Sequence, residues 1–206
     1  MPGWSGWRPK AGHWASFALA AAIGVGVVLG SSARFSGAAA AEIDPQDAEF
    51  LATINRIIME SGAQPAAQTH HACDRIVTTA INMDAVAQSA TGPIWVRMSP
   101  QQRAAFRAAA RRWAIRDCVR QNQGAEGSPL QLIGLKQGED SARLLATRSS
   151  KPAHMIIWRL HGAGKAQAVD VVVDGRSSVI SLRNETKALL GRNNDDIDAA
   201  TEMLGR

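Results

Sequence analysis

The segment HHACD gathers His70, His71, Cys73 and Asp74 within five residues, the one run here rich in metal-ligand side-chain types. On a helix His70 and Asp74 lie four apart and share a face, while His71 and Cys73 do not join them. Two ligands do not make a zinc site, which takes three or four. The expectation is therefore a helix surface with no metal. Asp170 and Asp174 also lie four apart, in a valine-rich run that alternates like a strand. At about 3.3 Å per residue their Cα atoms stand roughly 13 Å apart, too far to share work on one bond. Asp170 with His154, from a neighbouring strand, is a candidate acid–base pair of the isomerase kind, although no motif demands it. There is no G-x-S-x-G, H-E-x-x-H or P-loop. GAGKAQ has a Gly-x-Gly-Lys core but lacks the first spaced Gly and the Ser or Thr, and it falls between two strands rather than before a helix. The expectation is therefore a protein that is not an enzyme and carries no cofactor.

Cys73 and Cys118 are the chain's two cysteines. What they do depends on the compartment, and the N-terminus speaks to that. Residues 1–41 hold no acid; Arg8 and Lys10 precede the apolar run WASFALAAAIGVGVVLG, and small residues lead to Ala39 and Ala41. A basic start, an apolar middle and an A-x-A site describe a secretory signal peptide cleaved near Ala41, leaving a single domain over 42–206. A retained anchor is the alternative, but the run is short and diluted by Ala and Gly. An exported chain with an even pair of cysteines suggests a Cys73–Cys118 disulfide, with two buried thiols as the alternative. The whole chain carries a formal +5, and loss of Arg8, Lys10 and Arg34 with the leader leaves +2. That balance gives no argument for a nucleic-acid partner, which would need a strongly basic surface.

The elements that must position these residues can be read from periodicity. Asp44-Pro45 starts a helix in which Phe50, Leu51, Ile54, Ile57 and Ile58 follow a 3.6-residue period. A second helix covers about 66–81, with Cys73, Ile76, Val77 and Ala80 inward, and a short one covers MDAVAQSA. The clearest helix begins at Ser99-Pro100, with Gln102 completing a capping box and Gly124 as its stop. Along it Phe106, Ala109, Ala110 and Trp113 form an apolar stripe. Arg103, Arg107 and Arg111 form one basic row and Arg112, Arg116 and Arg120 another, a solvated face or a surface for anionic head groups or an acidic partner. Period two then takes over, predicting strands near 130–136, 142–148, 154–161 and 167–174. Their short connections favour antiparallel neighbours. Helices near 179–190 and 195–204, the latter capped by Asn194, close the chain. Helices, a strand meander, then helices give an α+β fold.

Two stretches carry a family resemblance. MDAVAQSATGPIWVRMSPQQRAAF is similar to a segment of the MlaC-type periplasmic phospholipid-binding proteins, the toluene-tolerance family, at Ala87, Gly92, Trp95 and Ser99-Pro100. VDVVVDGRSSVISLRNE resembles the same family's strand-to-helix signature at Asp170, Gly175, Ser177 and Arg183. The chain departs from the family at Ala166, where Trp is frequent, and at Thr186, where an aromatic is frequent. The resemblance implies an antiparallel curved sheet of about four to five strands wrapped by helices, NTF2- or cystatin-like. It also implies a dry cavity for phospholipid acyl tails. The implied partners are phospholipid, a membrane-bound ABC transporter complex and an outer-membrane lipoprotein, with hopanoid lipids linked to a related branch.

On that footing the candidate lipid-binding residues are Val169, Val171 and Val173 with Ile156 and Trp158 as a floor. Phe106, Ala109, Ala110 and Trp113 would form a lid, with Trp95 beside them. A carrier needs apolar walls left partly unfilled, and each buried CH₂ of a tail contributes about 0.8 kcal/mol. A small NTF2-like enzyme and a ligand-binding adaptor are the competing readings.

Overall fold

The computed structural model describes residues 43–62, 66–122, 127–138, 142–150, 153–161 and 165–206. The expected leader and its cleavage site lie outside them, as does Gly124.

Helix α1, Pro45–Ser61, starts where the sequence predicts: the Asp44 side chain accepts from the Gln46 N–H at 2.8 Å, and Gly62 ends it at φ 61°. Phe50, Ile54 and Ile57 are its buried stripe. Its one buried charge, Asp47, takes the Arg143 Nε–H at 2.9 and 3.0 Å on its two oxygens. Helices α2 (Ala66–Ala80), α3 (Met83–Thr91) and α4 (Ile94–Arg97) follow, with Asn82 capping α3. Helix α5, Pro100–Gln121, carries the predicted capping box between Ser99 and Gln102.

The strands β1 (Gln131–Gln137), β2 (Arg143–Arg148), β3 (Met155–His161), β4 (Gln167–Val173) and β5 (Arg176–Ser177) form one antiparallel sheet in chain order. This curved, open sheet and the helical first half confirm the α+β expectation. Asp174-Gly175 joins β4 to β5 with φ of 49° and 82°, both positive as a two-residue hairpin turn with the right twist requires. Helix α6, Ser178–Arg192, starts directly from β5. The Asp170 carboxylate accepts from the Ser177 hydroxyl at 2.7 Å and the Val179 N–H at 3.1 Å, fastening β4 to that helix start. Helix α7, Ile197–Gly205, is capped by Asp196, not by the predicted Asn194. Asn194 and Asp195 instead form a left-handed turn at φ 53° and 60°, which delays the helix.

Strict alternation fails at one place that matters. Between β3 and β4 the pairing runs Trp158↔Val171 and Arg159↔Asp170, then Leu160↔Ala168, so Val169 is the extra residue of a β-bulge. Directly opposite residues share a face. Ala168, fully buried, therefore joins Val171 and Val173 on the inner face, and Val169 does not. That face, with Leu145, Trp158 and Leu160, packs into a core shared with Phe50, Ile54, Phe106 and Leu182.

The six arginines of α5 all act inside the chain. Arg107 pairs with Asp84, and Arg111 donates to Asp74 at 2.9 Å and Thr78 at 2.5 Å, tying α5 to α3 and α2. Arg112 and Arg116 donate to the last carbonyls of α7, at 2.9 Å to Gly205 and 2.6 Å to Leu204, where the helix dipole is negative. A Cβ on Gly205 would meet the Arg112 guanidinium, which would have to swing aside to keep its contact with the helix end. Arg103 donates to the Trp95 carbonyl at 3.0 Å and lies over its ring at 5.5 Å, and Arg120 pairs with Asp117.

Candidate lipid cavity

Between the α2–α5 layer and the inner face of β3 and β4 the packing leaves a cavity of about 180 Å³ that opens to solvent. The sheet contributes Ile156, Trp158, Val171 and Val173, and α1 contributes Ile54 and Ile58. From α2 come Ala72, Cys73, Ile76 and Val77, and from α5 come Trp113, Ala114 and Cys118. Met83, Val86 and Val179 also line it, with Asp170 and Ser178 beside Val179. The Trp158 Nε1–H is taken by the Thr147 hydroxyl at 3.0 Å, and Phe50 meets its ring edge-on at 5.4 Å. With its one donor satisfied, Trp158 offers the cavity only apolar surface.

Cys73 and Cys118 form a disulfide, and both line the cavity. The pair stitches α2 to α5 with Val77 and Ile115 packed around it. One end of the cavity is polar: Ser61, Thr69, Asp117, Gln121, Asn122 and Ser128 lie there, beside exposed Gly62. Asp117 is 5% exposed, held by Arg120 on one oxygen and by the Gln121 Nε2–H at 2.5 Å on the other.

An engineered cavity of about 150 Å³ with aliphatic walls stays dry and takes benzene. The space here is of that order, enough for a stretch of hydrocarbon several carbons long without any movement. Among the described residues, the two lining carboxylates are each engaged by donors within the chain. The candidate acid–base pair does not form: Asp170 is engaged by α6, and His154 Nδ1 meets Asp174 at 2.6 Å instead. That contact, with the Met155 N–H, holds the Asp174 carboxyl below the usual carboxylate range. At the HHACD segment His70 and His71 are exposed, Cys73 is in the disulfide and Asp74 serves Arg111. Among the described residues no three His, Cys, Asp or Glu side chains converge as a metal ion would need.

Of the ten candidate lipid-binding residues, Trp113, Ile156, Trp158, Val171 and Val173 line the cavity together. The other five sit elsewhere. Phe106, Ala109 and Ala110 are packed solidly into the core, Val169 is displaced by the bulge, and Trp95 is engaged by Arg103 near the opposite end of α5. The α2 wall was not among the candidates. Its signal was present in the small and apolar stripe Ala72, Cys73, Ile76 and Val77, which reads equally as ordinary core.

The sequence profile of the MlaC protein family matches residues 48–206. No curated protein matches the chain. Among solved structures, a phospholipid-binding protein from Ralstonia solanacearum, determined in complex with a phospholipid, superposes with a TM-score of 0.56. It shares 11% sequence identity, and the match covers 78% of this chain and 97% of that one. At that identity the likeness is one of fold.

Proposed function

The chain belongs to the MlaC family, and from that premise we propose that it is a lipid carrier which holds the acyl chains of a phospholipid, or a related lipid, in the cavity facing β3 and β4. The single observation that carries the proposal is the open apolar space of about 180 Å³, unfilled by the protein's own side chains. The R. solanacearum neighbour, solved with a phospholipid, supports the same reading. Binding rather than turnover is the activity these walls suit, since both carboxylates among the described lining residues are engaged by donors within the chain.

The wider role we propose is shuttling in the periplasm between an outer-membrane lipoprotein complex and an inner-membrane ABC transporter complex. The leader-like N-terminus and the Cys73–Cys118 disulfide support an oxidising, exported setting. Protein purified from a Gram-negative host in mild buffer should carry phospholipid, read by native mass spectrometry and by solvent extraction. Bare protein in both measurements would overturn the carrier reading. For the shuttle, the protein should speed transfer of labelled lipid to vesicles bearing the transporter complex; no acceleration would leave lipid binding standing and remove the route.

A further inference from the structure

Among the described residues, the lining of the cavity contains two carboxylates and no lysine or arginine. Asp170 is engaged by the start of α6, but Asp117 is at the polar end, almost fully buried, and uses two of the roughly four acceptor positions a carboxylate offers. The backbone around it has the same sign. Ser61 and Gly62 are the C-terminus of α1, and Gln121 and Asn122 are that of α5. Both helices therefore bring their negative dipole ends to this mouth. The opposing elements are the first turn of α2, which brings Thr69 and a positive dipole end to the rim, and the Arg120 side chain, which is mostly exposed.

We propose that this mouth selects lipids whose head group carries an ammonium, zwitterionic phosphatidylethanolamine above all, over purely anionic ones. The inference rests on the carrier reading and deepens it. A zwitterionic head offers an ammonium to Asp117 and the two carbonyl ends, and a phosphate to the α2 end and Arg120. An anionic glycerol head offers the same phosphate and only neutral hydroxyls to the buried carboxylate. A hydrogen bond between two ions is stronger than one between an ion and a hydroxyl. The expected preference is about fivefold, as a difference of that kind gives once partly screened.

Lipid-free protein is incubated with vesicles holding equal amounts of phosphatidylethanolamine and phosphatidylglycerol with identical acyl chains, then re-isolated and its lipid quantified by mass spectrometry. Wild type should be enriched in the ethanolamine lipid. Asp117→Asn, which keeps shape and removes charge, should bring the ratio to that of the vesicles. Arg120→Gln, an exposed change that leaves Asp117 without its competing cation, should raise the ratio above wild type. Uptake of both lipids in the vesicle ratio by wild type overturns the inference and leaves the carrier function intact. The inference fails equally if Arg120→Gln lowers the ratio or Asp117→Asn keeps it. Uptake of neither lipid overturns the carrier function itself.

Discussion

If the cavity is where a tail lies, filling it from the wall should expel the tail without harming the fold. Ala114 lines the cavity from α5, a helix held by arginine contacts to α2, α3 and α7, so a larger side chain there has the void as its outlet. Filling apolar space is worth about 24 cal/mol per Å³. Across the observed 180 Å³ this amounts to about 4 kcal/mol, or roughly a thousandfold in affinity. A benzene ring fills about 150 Å³ by the same measure, so Ala114→Phe should remove about 3.6 kcal/mol of tail binding, roughly several hundredfold. The assay is titration of lipid-free protein with a fatty acid bearing an environment-sensitive fluorophore, alongside a thermal melt. The variant should bind roughly several hundredfold more weakly and melt no lower than wild type, because a filled void stabilises. Unaltered affinity in a variant with an unaltered melt would refute the argument, since the tail would then be lying somewhere else.

Three further outcomes are expected. Val171→Glu puts an unpaired carboxylate on the cavity floor and should abolish lipid retention, with circular dichroism confirming that the sheet survives. Replacing both cysteines by serine frees a loop with a sequence separation of 45; it should lower unfolding stability by about 4 kcal/mol in the chain-entropy model, read by urea denaturation. Asp174, with its folded pKa depressed first by His154 and then by the Met155 N–H, contributes stability that is present above the ordinary carboxylate value and lost as pH falls through the folded one. Asp174→Asn should therefore lose less melting temperature than wild type between about pH 5 and about pH 2.

The elements with a strong local signature were legible from the sequence. Asp44-Pro45 and Ser99-Pro100-Gln-Gln102 begin α1 and α5 because capping chemistry is local. The strands follow from period two and short connections. The bulge at Val169 was not legible, because in AVDVVVD nothing marks which residue the opposite strand will skip; the register with Leu160 decides it. The Arg partners were hidden for a similar reason: Asp74, Asp84 and the Leu204 and Gly205 carbonyls arrive from three other helices. An apolar stripe also looks the same whether it meets a neighbour or a gap. Phe106 and Ala109 are buried in the core, while Ile76 and Ala72 line the cavity. Layer spacing, not periodicity, separates the two.

Helix α2 is fastened unevenly. Among the described residues its covalent and ionic ties begin at Cys73: the bond to Cys118, Asp74 to Arg111, and Arg75 to Glu60 at 2.7 Å. Just past its end Ile81 bridges Ala168, and the Asn82 N–H donates to the Ala168 carbonyl at 2.9 Å. Among the described residues, the ties that hold this wall thus gather between Cys73 and Asn82, on the Met83 side. On the carrier reading, a guest thicker than the resting gap is expected to part the walls toward Thr69 before it parts them toward Met83, where those ties hold the spacing.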